Sequence, residues 1–172
     1  MILRLVAAIP PVDPDEPPSG FQRFMHRVGM TGAGRWFGIE VGSRVDPGLL
    51  RATGGRFATT SFFPLVLMTV PGRRSGEPRT VPLVYFTQGD EVILTASSFG
   101  RAKHPAWYLN AVAAGRVELR AKGRGGTYLV RETEGAERER LFGLSKNLYA
   151  GYGLYEERAT ERTIPVLALR PE

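Results

Sequence analysis

The sequence predicts a mainly β fold with some helix, of the α+β class: an antiparallel barrel with helices at its periphery. Three observations carry this. Short apolar runs rich in β-branched and aromatic residues recur at hairpin spacing, among them Leu65 to Val70, Arg79 to Thr87 and Glu91 to Ala96. Helical patterns are confined to the gaps between such runs. The chain of 172 residues is one domain by length, has no internal repeat and can bury a core without staples.

Each element has its local reason. Residues 1–18 are expected to be a flexible N-terminal segment, because five prolines and three acids crowd Pro10 to Pro18. The apolar opening Met1 to Ile9 is too short to span a bilayer and has no basic n-region or clear cleavage site, so the chain reads as cytoplasmic. Residues 19–172 are expected to be the domain, with 19–60 a helical extension and 61–172 the barrel core. Ser19 can cap a helix over Phe21 to Val28, with Phe21, Phe24, Met25 and Val28 on one face. That face either docks on the barrel, the reading we favour, or makes a peripheral membrane contact or covers a substrate. Gly32-Ala33-Gly34 lacks the glycine spacing and preceding strand of a dinucleotide fingerprint. Asp46-Pro47 opens a short helix ending near Gly54-Gly55, and Arg56 to Ser61 reads as a first strand.

Leu65 to Val70 is apolar on both faces, hence a buried strand. Pro82 cannot donate to a ladder and marks the next strand as an edge or bulge. Gln88-Gly89-Asp90 is a hairpin turn. A helix starts at His104-Pro105 and stops at Gly115. Val117 to Ala121 and Thr127 to Arg131 form a hairpin across the glycine turn 122–126. Thr133 is the expected cap of a helix running to Leu148, and Thr163 to Leu169 is the last strand.

Charge and cysteine narrow the chemistry. The 23 basic and 17 acidic side chains give a net charge of +6, and no cysteine is available for disulfide or thiolate chemistry. Nine Lys/Arg against four Asp/Glu between residues 67 and 126 make the middle basic, which suits an anionic partner. Neither His26 nor His104 has metal-ligand spacing, and no metal is expected. Lys122 to Gly126 resembles an RGG element, but flanking strands favour a plain hairpin, so no nucleic acid is expected.

Two basic glycine loops flank the apolar runs. The first, Pro71 to Arg79, holds Arg73, Arg74, Ser75, Gly76 and Arg79: planar charged forks beside backbone that an anion can approach closely. The second, Ala96-Ser97-Ser98-Phe99-Gly100-Arg101-Ala102-Lys103-His104, runs into a helix N-terminus. Trp107 and Asn110 follow at a spacing that can present a ring and an amide to one ligand, or serve packing and capping. Tyr149, Tyr152 and Tyr155 recur every three residues, either lining a lid or half-buried at a helix end. There is no evident nucleophile triad or carboxylate pair, so the chemistry is expected to be carried by a cofactor, with hydride transfer the natural candidate.

Thr69 to Leu83, then Ala96-Ser97, Gly100 and Lys103-His104-Pro105-Ala106-Trp107-Tyr108-Leu109-Asn110, resemble the deazaflavin (F420)-dependent nitroreductase family of actinobacterial split β-barrels. The resemblance covers about Leu49 to the C-terminus. It implies the FMN-binding split-barrel-like fold and coenzyme F420 as hydride donor, to a quinone, nitroaromatic or activated enone. Arg74 and Arg79, with Arg73 and the backbone of Ser75 and Gly76, would hold the phosphate and glutamate tail. Pro82, Leu83 and Val84 would line the deazaflavin. Ala96, Ser97, Ser98, Gly100, Lys103 and His104 would clasp the linker, and Trp107 and Asn110 complete the pocket. Tyr149, Tyr152 and Tyr155 would be the catalytic set over the substrate; a phenol near its reference pKa of about 10 is a weak acid, so the proton comes either from solvent or, if a side chain gives it, from Tyr152. Two departures stand out: Val84 where relatives can carry an aromatic, and Ser98 where a lysine can occur. The alternatives are an FMN protein or an F420 carrier without turnover, and a monomer or weak dimer is expected.

Overall fold

The computed structural model describes residues 8–16 and 64–172. The expected helices at 21–28 and near 47–54, the strand at 56–61 and any membrane contact through the N-terminal helix lie outside these residues.

Six antiparallel strands close a barrel in the order β1-β2-β3-β6-β5-β4, with β1 and β4 completing the ring. They are β1 (Leu65–Pro71), β2 (Pro78–Gln88), β3 (Glu91–Thr95), β4 (Arg116–Ala121), β5 (Arg124–Glu132) and β6 (Val166–Pro171). Three helices lie between strands: α1 (Ala106–Ala114), α2 (Gly135–Leu148) and α3 (Gly151–Arg158).

Strand alternation sorts the apolar residues into two cores. Val66, Met68 and Val70 of β1, Val92 and Leu94 of β3, Val117, Leu119 and Ala121 of β4, and Leu167 and Leu169 of β6 point into the barrel. The intervening Ile93, Val166 and Ala168 face outward, where α2 and α3 cover them with Leu141, Phe142, Tyr152 and Tyr155. Each large side chain so buried contributes about 1.5–3 kcal/mol. Helix α1 plugs the barrel with Tyr108 and Ala111, and its chain reverses at Gly115, whose φ of 68° is left-handed.

Strand β2 pairs with β1 from Pro78 to Val84 and with β3 only from Tyr85 to Gln88. Among the described residues its first half therefore has one strand neighbour, and Pro82 sits there, opposite Leu67, where a missing N–H is tolerated. This is the split in the barrel.

Several details differ from expectation, and the last strand runs Val166–Pro171 rather than Thr163 to Leu169. The β4–β5 turn is only Lys122-Gly123, both at positive φ (48° and 77°), as a two-residue hairpin requires. Gly125 lies in β5, and a Cβ there would overlap the Leu119 carbonyl. Thr133 does not cap α2: its hydroxyl donates to the Val166 carbonyl at 2.9 Å, tying α2 to β6. The proline-rich segment is extended but not loose. Ile9 N–H donates to the Tyr128 hydroxyl (3.2 Å), Tyr85 donates to the Pro10 carbonyl (2.9 Å), and Val12 exchanges bonds with Thr87. Ile9 is buried in the barrel core, so residues 8–16 form a strap across it rather than the flexible linker their composition suggests.

Candidate functional site

The arginine turn folds on its own backbone. Gly76 N–H donates to the Gly72 carbonyl (2.7 Å), and Gly72 N–H to that of Glu77 (2.8 Å). A Cβ on Gly72 would come within 2.8 Å of Ser75 Oγ, and Gly76 has a φ of 70°. Arg73, Arg74 and Arg79 are exposed, and among the described residues none pairs with a carboxylate. Three exposed guanidinium groups beside a tight glycine turn form a donor set for a polyanion.

Asn110 connects this turn to α1. Its Oδ1 accepts the Arg73 N–H at 3.2 Å, and its side chain is buried. It thus fixes the turn's backbone rather than presenting an amide to solvent. Pro105, where the second loop enters the helix, lies five residues before Asn110, about 7.5 Å along the axis. The two loops predicted to share a ligand are therefore neighbours. Trp107, next along α1, is partly buried against the barrel core.

The second loop is strained and clamped. Ser98, Phe99 and Gly100 have successive φ values of 51°, 57° and 76°. A Cβ on Gly100 would lie 2.6 Å from Arg158 Cβ and 2.7 Å from the Tyr155 carbonyl, so glycine is what lets the loop rest on α3. Arg162, which the sequence analysis did not single out, grips the loop. It donates to the carbonyls of Ser97 (2.7 Å), Arg101 (2.9 Å) and Ala96 (3.4 Å), and to His104 Nδ1 (3.3 Å). Because guanidinium only donates, His104 Nδ1 must accept, which requires a neutral imidazole. Desolvation and then Arg162 hold the His104 pKa below its ordinary value, against the pull of Glu132. The Tyr108 hydroxyl donates to Glu132 Oε1 at 2.8 Å, and burial followed by this bond pushes its pKa up to about 12.

Of the expected lining residues, Leu83 packs inward against the barrel core. Pro82 and Val84 alternate to the opposite face of the same half-paired strand, so these two border the split.

The three tyrosines come together. Ring centroids are 5.4 Å apart for Tyr149 and Tyr152, 6.2 Å for Tyr152 and Tyr155, and 6.1 Å for Tyr149 and Tyr155. The hydroxyls of Tyr149 and Tyr155 are 3.3 Å apart. Gly151 leaves room for the Tyr149 ring, which a Cβ would strike. The cluster abuts the second loop through Tyr155 and Phe99, 5.7 Å apart. Tyr152 and Tyr155 lie on a regular helix rather than an irregular lid. Burial raises both phenols above the ordinary tyrosine range.

A separate concavity of about 420 Å³ is lined by His104, Tyr108, Glu132, Arg138 and Arg162, with Glu134 and Glu139 beside them. Its carboxylates make it a poor seat for a polyanion. Among the described residues no group of His, Asp or Glu could hold a metal, and no helix is long and apolar enough to cross a membrane.

A family model described as F420H(2)-dependent quinone reductase matches residues 43–171. The chain belongs to the F420H(2)-dependent quinone reductase family. An F420H(2)-dependent quinone reductase of Mycobacterium tuberculosis is 31% identical over 143 residues, covering 78% of this chain and 95% of the relative. A second relative from that organism, provisionally named for the same activity, is 33% identical over 110 residues, covering 63% and 90%. Among solved structures, an F420-H2 dependent reductase (FDR-A) is similar at 35% identity and a TM-score of 0.57, covering 62% of this chain and 94% of that one. Another, described as a domain-swapped dimer, has 32% identity and a TM-score of 0.58, covering 74% and 96%. This family member is thus an oxidoreductase of split-barrel type whose cofactor is coenzyme F420. The arginine turn fits that cofactor: its donors match a phosphate and carboxylate tail, with no carboxylate among the described residues paired to them.

Proposed function

We propose that this reductase acts on a quinone or similarly flat, activated acceptor, and that the arginine turn and the tyrosine cluster divide the work. The observation that carries the reading is the exposed trio Arg73, Arg74 and Arg79, unpaired among the described residues, on a turn tethered through Asn110 to the helix that follows the second loop. Arg74 and Arg79, with Arg73 and the backbone of Ser75 and Gly76, would hold the anionic tail. Ser97, Ser98, Gly100 and Lys103 would clasp the linker, with Ala96 and His104 at the ends of that loop. Pro82 and Val84 would border the ring, with Leu83 filling the wall behind them and Trp107 closing the pocket on the α1 side.

When bound in its reduced form, F420 supplies a hydride from its deazaflavin ring. The chain's part is to orient two flat rings and exclude water, a task aromatic walls perform well. The second requirement of quinone reduction is a proton. Burial makes the phenols of Tyr152 and Tyr155 poorer acids than an ordinary tyrosine, so the proton would be taken from bulk solvent and its buffer ions, and the tyrosine cluster acts chiefly as the acceptor's wall.

Titration with F420 followed by an acceptor screen of the reduced complex tests this reading. Quinones and nitroaromatics should be turned over; tight F420 binding with no acceptor reduced would make the protein a carrier. The similar chain described as a domain-swapped dimer supports testing for a dimer by light scattering at several concentrations.

A further inference from the structure

We propose that Arg162 is a positioning residue for cofactor binding, holding loop 97–103 in the one shape that can clasp an anionic linker. The inference rests on the F420 reading above.

Residues in the left-handed region are costly outside glycine, and Ser98 and Phe99 are both there. Such a conformation persists only when its surroundings determine it. The loop's own bonds are few: Gly100 N–H to the Ser97 carbonyl (3.0 Å) and Arg101 N–H to the Ser98 carbonyl (3.1 Å). Arg162 supplies the rest. One guanidinium fork reaches carbonyls on both sides of the strained stretch, Ala96 and Ser97 before it and Arg101 after it. No single-donor side chain could join the two ends in this way.

The same bonds orient charge. The Ala96, Ser97 and Arg101 carbonyls are taken up by Arg162, and Lys103 adds a second positive charge at the end of the same loop. Among the described residues no carboxylate pairs with Arg162. Glu132, which faces His104 in this cluster, accepts from Tyr108 instead. The positive charge of Arg162 therefore remains available to the loop, adding to the field an anion meets there.

The test combines hydrogen exchange of the cofactor-free protein with F420 titration, for the wild type, Arg162→Ala and Arg162→Lys. In R162A the Gly100 and Arg101 amides should lose protection while Leu94 and Leu169 in the barrel keep theirs. The Kd for F420 should rise roughly tenfold or more, a loss expected when several charge-assisted bonds are removed. Added guanidinium ion, at concentrations below those that unfold the protein, should restore part of the affinity, and R162K should fall between the two. A folded R162A with wild-type exchange at Gly100 and Arg101, or with wild-type affinity, overturns the proposal. If R162A does not fold, R162K is judged by the same two readouts. Failure of the wild type to bind F420 would remove the cofactor reading instead, while the exchange data still judge the clamp.

Discussion

The two basic glycine loops look alike in sequence and solve opposite problems. The arginine turn has a relaxed backbone closed by two short internal bonds, and its charges are exposed and unpaired among the described residues. The second loop has a strained backbone, and the charge that matters most to it, Arg162, comes from far along the chain and is spent on the loop itself. One loop presents charge; the other is given its shape by charge. Composition alone does not distinguish these roles, because both read as arginine, serine and glycine after a strand.

The comparison can be broken most forcefully at the first loop. The double variant Arg74→Ala with Arg79→Ala should weaken F420 binding by about 100-fold, taking each lost charge-assisted contact as about tenfold. Thermal stability should be unchanged, since neither side chain supports the fold; a fall in Tm would show that the turn carries structure. Gly100→Ala attacks the second loop and should do the reverse. Its Cβ would enter the space of Arg158 and Tyr155 at a φ of 76°, so unfolding free energy should drop by about 3 kcal/mol in a denaturant titration, with affinity falling as a consequence.

Asn110→Ala sharpens the link between the loops. It leaves the Arg73 N–H without its acceptor, so a stability loss of about 1–2 kcal/mol and a few-fold rise in Kd for F420 are expected. The smallest effect is a pH dependence through His104. Its folded pKa is depressed, so the stability it contributes is present above about 6.5 and lost as pH falls through the folded value. The groups facing it are Arg162, Tyr108 and Glu132. Denaturation midpoints at pH 7.5 and 5 should therefore differ more for the wild type than for His104→Gln; equal differences would remove His104 as the origin.

Much of this was legible locally. The arginine turn, Gly115 at the end of α1 and Pro82 on a half-paired strand each follow from residues adjacent in sequence. The tyrosine spacing left a lid and burial at a helix end open; Tyr152 and Tyr155 lie buried on a helix of their own, close to the second of these. What escaped was long-range. Arg162 finds its partners 58 to 66 residues earlier, and nothing near position 162 signals a loop clamp. The strap at 8–16 was misread for a similar reason. Prolines and acids announce an extended chain, whereas docking depends on Ile9 and Val12 meeting Tyr128 and Thr87, contacts that only the closed barrel creates. Thr133 was taken as a cap because it precedes a helical pattern, yet β6 competes for the same hydroxyl and wins.

The most direct test of the central claim is to compare the Kd for F420 with that for its deazaflavin chromophore lacking the phosphate and glutamate tail. The arginine turn predicts that F420 binds about 100-fold more tightly at low salt and that rising ionic strength erodes the difference. Equal affinity for the two molecules, unmoved by salt, would contradict it.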